Sequence, residues 1–199
     1  MSGTLIVWRH GQTAWNVEGR IQGQLDTELT EVGIEQAAAA AQRLALLRPD
    51  AIVSSDLRRT SDTAAALAAL TGLTVRYDPR LRERHFGVWQ GLTGAEAAAR
   101  HPEEYARWQA GKAVDGCGVE GRGELAKRAA AAMQEAADLV PGGTVVVVGH
   151  GGSARYGVVE LLGWPDEVLR GLGALGNCRW MDLRHDAVRG WQLRGYNLS

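Results

Sequence analysis

The chain has 199 residues, 45% hydrophobic and 23% charged, with 22 basic side chains against 23 acidic and a formal net charge of -1. That balance describes a globular chain long enough to bury a full core without disulfides. It excludes a general basic surface for nucleic acid, while leaving room for a local cationic pocket. Lys occurs only at Lys112 and Lys127, so twenty of the basic residues are Arg. Arg suits bidentate contact with phosphate or carboxylate, although the codon bias of a GC-rich genome would raise it as well.

Residues 4–8 form a short apolar run, read as a buried strand that ends at Arg9. A polar, Gly-containing loop is predicted to about residue 29. Thr30 then caps a helix with Glu31 in its first turn, and apolar residues recur to residue 47. A second strand is expected at 51–53, a polar junction at Ser54, Ser55 and Asp56, and a helix over 57–70 that Gly72 ends. A third strand follows at 74–77. Residues 84–122 break the alternation and are expected to be a helical, Trp- and Gly-containing insertion that caps the site. An Ala-rich helix is placed at 126–139. The four valines at 145–148 have the composition of a central strand covered on both faces, and a helix follows to residue 162. Residues 179–183 and 190–193 are predicted to close the chain as a hairpin, with 185–189 as its turn.

Strands alternating with helices give an α/β class: a three-layer α/β/α sandwich on a mostly parallel sheet with one antiparallel edge, forming a single domain over 1–199. No basic-then-apolar leader is visible, nor a run of about 18 apolar residues of the kind that crosses a membrane. A soluble, cytoplasmic protein is therefore expected. Cys117 and Cys178 are too few for a disulfide framework, and neither sits in a Cys/His ligand spacing.

The polar residues gather where strands end. Arg9 and His10 follow the first strand, residues 54–59 the second, Glu83 the third, and His150, with Gly on both sides, the fourth. In open α/β sheets, ligands bind beyond the carboxyl ends of the strands. Each residue has a plainer use: Arg9 in an ion pair with Asp56 or Glu83, one of Arg58 and Arg59 on the surface paired with Asp62, and Glu83 as an ordinary surface charge. Together they point instead to a clamp for an anion, with two histidines for proton or nucleophile chemistry. Phe86 and Trp89 give Glu83 a partly dry setting suited to a general acid.

Four motifs carry a family resemblance: Leu5-Ile-Val-Trp-Arg-His-Gly-Gln-Thr13 with Trp15-Asn16, Ser54-Ser-Asp-Leu-Arg-Arg-Thr60, Leu81-Arg-Glu-Arg-His-Phe-Gly87 and Val147-Val-Gly-His-Gly-Gly152. In this order and spacing the chain resembles the histidine phosphatase superfamily, the phosphoglycerate-mutase-like fold. The resemblance implies that His10 is a nucleophile that becomes phosphohistidine. It implies that Arg9, Arg59 and His150 hold the phosphoryl oxygens and that Asn16 adds a polar contact. Gln22 and Gly23 would form the substrate-side edge, the N–H of Gly151 would be a further donor, and Glu83 would be acid and then base. Two arginines supply the charge stabilisation that phosphoryl transfer needs, so neither a metal nor a cofactor is expected.

The resemblance covers phosphatases, cofactor-dependent mutases and members without catalysis. A mutase would carry a Lys near Gly91-Leu-Thr-Gly94 and paired Arg later in the insertion. Neither is present; Arg107-Trp108-Gln109 is the nearest approach. A metal-independent phosphomonoester hydrolase is therefore expected, with mutase as the alternative and a non-catalytic phospholigand module as the third reading. The stretches at 19–29, 53–59 and 89–93 and the tail resemble the family's actinobacterial phosphatases of glucosyl-3-phosphoglycerate. Gly121-Arg-Gly-Glu-Leu125 departs from them in having no Ser after Glu124. The implied partner is a small phosphorylated metabolite, a phosphoglycerate or sugar phosphate, without nucleic acid or membrane. A homodimer is compatible with the sequence. Trp89, Tyr105 and Trp108 are candidates to stack on a sugar or to pack as core.

Overall fold

In the computed structural model, which describes residues 3–199, six strands form one sheet in the order β3-β2-β4-β1-β5-β6. The strands are β1 (Thr4–Arg9), β2 (Ala51–Ser54), β3 (Val75–Tyr77), β4 (Thr144–Gly149), β5 (Trp180–Asp186) and β6 (Gly190–Leu198). β1, β2, β3 and β4 run parallel, and β5 adds to β1 antiparallel. The valine strand is central, as its composition predicts: β4 lies between β2 and β1.

Side chains alternate across the sheet. Leu5, Val7, Val145 and Val147 face one layer, made by α6 (Arg122–Asp138) and α7 (Gly151–Leu161), and pack on Ala129, Met133, Ala154 and Val158. Ile6, Trp8, Val146 and Val148 face the other layer, α2 (Glu31–Ala45) and α3 (Arg58–Thr71), and pack on Ala37, Ala41, Leu44, Ala64 and Leu67. The many alanines on these helix faces let the helices approach the sheet closely. The Thr30 hydroxyl accepts from the Gly33 N–H, capping α2, and Gly72 ends α3 in the left-handed region. No helix among the described residues is long and apolar enough to cross a membrane.

Three expectations change. The loop after β1 contains a one-turn helix, α1 (Ala14–Val17), held by a reciprocal cap between Thr13 and Asn16. The hairpin is longer than predicted. His185 belongs to β5 and pairs with Trp191, and β6 continues to Leu198 across an irregular register at Asp182. The Ala-rich helix begins at Arg122, four residues earlier than predicted. Residues 84–122 hold a 3-10 turn and two short helices, α4 (Gly94–Arg100) and α5 (Pro102–Gln109), around a separate small cluster of Trp89, Ala97 and Cys117.

Candidate active site

β1 and β4 are neighbours, and both end at the same edge of the sheet. The β1 exit delivers Arg9 and His10; the β4 exit delivers His150 as the cap of α7. Gly11 is required next to His10 because the loop lies against α2: a Cβ there would fall 2.4 Å from the Gly33 carbonyl oxygen. His10 is buried, and its Nδ1 sits 2.7 Å from the Gly11 carbonyl. A carbonyl can only accept, so Nδ1 carries the proton and Nε2 is left with its lone pair. Burial, then the charges of Arg9 and Arg59, hold the His10 pKa well below the usual histidine value, so the ring is neutral at neutral pH.

Arg58 and Arg59 diverge as adjacent helical residues must. Arg58 lies outside, paired with Glu28 and, at 3.7 Å, with Asp62. Arg59 is completely buried and pairs with no carboxylate. It donates from Nη1 to the Leu25 carbonyl (2.8 Å), from Nη2 to the Gly23 carbonyl (2.7 Å) and from Nε to His150 Nδ1 (3.2 Å). Burial brings its pKa down to about 10, which leaves it cationic at neutral pH. Arg9 donates from Nη1 to the Leu175 carbonyl, and its buried Nε has no partner. Neither Asp56 nor Glu83 pairs with Arg9. Asp56 instead takes a two-pronged bond from Arg82, at 2.7 and 2.5 Å.

Glu83 is aimed by the start of α7. Its Oε2 accepts from the Gly152 N–H (2.8 Å), and its Oε1 from the N–H groups of Ser153 (2.9 Å) and Arg84 (2.8 Å). These bonds, and the positive end of the α7 dipole, fix the carboxylate without a side-chain partner. Gly152 makes the approach possible: a Cβ there would fall 2.4 Å from Oε1. Two lone-pair sites are taken on Oε1 and one on Oε2, leaving Oε2 a place for a proton.

A cavity of about 240 Å³ opens at this edge. Of the sequence candidates, Arg9, His10, Asn16, Gln22, Gly23, Arg59, Glu83 and Gly151 line it. Asn16 uses Oδ1 to accept from Thr13 and Asn177, and Gln22 uses Oε1 to accept from Thr13 and Thr27, so each amide is oriented by its oxygen. His150 differs from its expected place. It is fully buried, with its ring centroid 5.3 Å from that of His10, and does not line the cavity. Since Arg59 donates to Nδ1, its proton is on Nε2, which reaches Ser55 Oγ at 3.0 Å. Both ring nitrogens are thus engaged by protein, and His150 supports Arg59 from behind.

Phe86, expected beside Glu83, lines the cavity with it, and further walls come from residues that no motif singles out: Ile21, Arg155, Ala174 and Leu175. Arg155 was the most legible of these. It lies four residues after Gly151 on α7, and so on the same helical face. The aromatic trio splits. Trp108 lines the cavity. Trp89 is fully buried in the core of residues 84–122, with Tyr105 against it at 5.6 Å. The fold also collects His101 and Glu104, at the start of α5, with Cys117, their ligand atoms within 4.8 Å of one another; none lines the cavity.

A pocket below the ~300–1,000 Å³ typical of drug-sized ligands, with the buried guanidinium of Arg59, the half-buried one of Arg9 and a neutral imidazole lone pair, suits a phosphoryl group and a few atoms of its ester. The comparisons agree. The model of the histidine phosphatase superfamily (branch 1) matches residues 5–199. The chain is 42% identical over 211 residues to the glucosyl-3-phosphoglycerate phosphatase of Mycobacterium tuberculosis, covering 98% of this chain and 94% of that one. It is 42% identical over 156 residues to a metal-independent phosphoserine phosphatase of Arabidopsis thaliana, covering 76% and 65%. The crystal structure of mycobacterial glucosyl-3-phosphoglycerate phosphatase with VO3 superposes with a TM-score of 0.88 at 43% identity, covering 98% of this chain and 99% of that one.

Proposed function

The chain belongs to the histidine phosphatase superfamily, branch 1, and is a phosphatase of small phosphorylated metabolites; from that premise we propose that it works through a phosphohistidine at His10. Nε2 of His10 attacks phosphorus as the bond to the leaving oxygen breaks. Arg9 and Arg59 stabilise the charge on the transferring oxygens, Arg9 through the Nε that otherwise has no partner. Asn16, Gln22 and the N–H of Gly151 complete the contact, and Gly23 orients Arg59 through its carbonyl. Glu83 gives the proton on Oε2 to the leaving alcohol, then takes one from the water that attacks phosphohistidine. Each half-reaction balances: P–O breaks as P–N forms, then P–N breaks as a new P–O forms and inorganic phosphate leaves.

The observation that carries this reading is the state of His10. The Gly11 carbonyl fixes the proton on Nδ1, and burial, then the charges of Arg9 and Arg59, keep the ring neutral, so the nucleophile needs no separate base. Residues 84–122 act as a cap, contributing Phe86 and Trp108 to the wall. The substrate is a phosphoglycerate or sugar phosphate, glucosyl-3-phosphoglycerate among them, in keeping with the relatives' names. The test is phosphate release by His10→Ala. It should fall to background with the thermal melt retained; turnover at the wild-type rate in the folded variant would remove His10 from the mechanism.

A further inference from the structure

The segment that carries Glu83 has little regular structure of its own. After the 3-10 turn at Pro79–Leu81, residues 82–85 belong to neither helix nor strand. Their carbonyls have no helix or ladder to supply N–H donors, and such groups must be satisfied some other way. Side chains do it. Ser153 Oγ donates to the Leu81 carbonyl at 3.1 Å, and Gln24 Nε2 to that of Glu83 at 3.1 Å. The rest come from one residue of α6, Arg128, which no motif of the sequence singles out. Its Nη1 donates to the carbonyls of Arg80 (2.6 Å) and Arg82 (2.7 Å), and its Nη2 to that of Glu83 (3.0 Å). Its Nε and Nη2 donate to the two carboxylate oxygens of Glu120, at 2.5 and 2.8 Å. A guanidinium has five N–H donors in a rigid planar fork. All of them are spent on this segment and on the residue that braces it.

Glu120 closes the other side. Its N–H donates to the His85 carbonyl (2.8 Å), its Oε2 accepts from the His85 N–H (3.0 Å), and its own carbonyl accepts from Arg84 Nε (2.7 Å). The pair therefore holds the main chain on both sides of Glu83, and neither residue lines the phosphoryl cavity. Glu83 connects the brace to the chemistry. Its carbonyl is on Arg128, while its carboxylate accepts only from backbone N–H groups, those of Arg84, Gly152 and Ser153. With no side chain holding the carboxylate, the position of the main chain at residue 83 decides how it meets the start of α7 and where its proton stands.

We infer that Arg128, braced by Glu120, is a positioning residue for the general acid: it acts on the reaction only through the place it gives Glu83. The inference rests on the phosphatase reading above, in which Glu83 protonates the leaving alcohol.

The test measures single-turnover phosphorylation of the whole protein by 3-phosphoglycerate, whose alcohol needs the proton, and by p-nitrophenyl phosphate, whose phenolate leaves without it. Arg128→Gln should slow the first by about 10², the scale of a misplacement of about 1 Å, and the second far less. The ester concentration that half-saturates each rate should stay near the wild-type value, because Arg9 and Arg59 are untouched. When Arg128→Gln is combined with Glu83→Gln, the 3-phosphoglycerate rate should be that of Glu83→Gln alone. Arg128→Lys keeps the charge and the aliphatic stem but offers three donors in place of five. Its ratio of the two rates should fall as well, and it carries the test if Arg128→Gln does not fold. Equal losses on both esters, or losses that multiply in the double variant, would overturn the inference and mark a role in stability. A wild-type ratio in Arg128→Lys would overturn it too, since charge alone would then suffice. Equal slowing of both esters by Glu83→Gln would remove the acid on which Arg128 acts, and a wild type phosphorylated by neither ester would remove the phosphatase reading itself.

Discussion

Replacing Gly152 by Ala perturbs the acid without touching a reacting group. The added Cβ would fall 2.4 Å from Glu83 Oε1 and 3.1 Å from Oε2. The carboxylate is the movable partner, so it swings away and gives up the N–H groups of Gly152 and Ser153 at 2.8 and 2.9 Å. The fold should survive. Ala is favoured over Gly in a helix by about 1 kcal/mol, against about 1.5–3 kcal/mol for a hydrogen bond to a charged acceptor. With two such bonds given up, the net loss is about 2–5 kcal/mol, about 4–20 degrees in Tm for a chain of this size. Catalysis should suffer as well. A well-placed general acid is worth about 10²–10⁴, and a misplacement of about 1 Å can cost about 10². Single-turnover phosphorylation by an alkyl phosphate, whose alcohol needs the proton, should slow by about 10². Phosphorylation by p-nitrophenyl phosphate, whose phenolate leaves unaided, should change far less. Equal losses on the two esters, or no loss on either, would refute the assignment of Glu83 as the acid steered by α7.

Further outcomes follow from the electrostatics. His10 and His150 are both held well below the usual histidine pKa, first by burial and then by the neighbouring charges. The neutral form is the nucleophile, so phosphorylation of His10 should persist through the pH range where free imidazole protonates and fail only below it. In Arg59→Met the acid limb should move to higher pH. Stability runs the same way: as pH falls below about 6.5 the unfolded chain takes up protons that the folded chain refuses, so Tm should fall with pH. A flat Tm across that range would contradict it. Activity should also withstand EDTA, because Arg9 and Arg59 supply the positive charge at the phosphoryl oxygens. Loss on chelation with recovery on adding a divalent cation would contradict that.

The layers are legible because short continuous apolar runs and Ala-rich helical stretches leave little choice. The strand at β4 and the caps at Thr30 and Gly72 lie where the composition put them. The hairpin was underestimated because β6 mixes Gly195, Arg194 and Asn197 among its apolar residues and pairs through an irregular register, which no alternation signals. Most of the candidate site was legible because its residues sit at strand ends beside glycine. What the motifs could not convey was orientation. His150 was assigned by its place in the chain, but Arg59 and Ser55, each more than ninety residues away, decide which way its ring nitrogens face. For Trp89, Tyr105 and Trp108 the sequence leaves stacking on a sugar and packing as core both open, because aromatic residues in an insertion look alike; the structure gives Trp89 the core role. Its burial is set by packing on Ala97, Cys117 and Tyr105. Arg155 carries a weak signal, its place four residues after Gly151, but a single Arg within a helical stretch reads the same whether it faces a cavity or solvent.

The most direct test of the phosphohistidine account is to trap the intermediate. The protein is mixed with radiolabelled phosphate ester, quenched in base during a single turnover, digested and read by mass spectrometry. The account predicts an acid-labile, base-stable phosphate on the His10 peptide, absent in His10→Ala and longer-lived when Glu83 is replaced by Gln. Phosphate release with no covalent label at any quench time, or with the label on His150 or another residue, would contradict it.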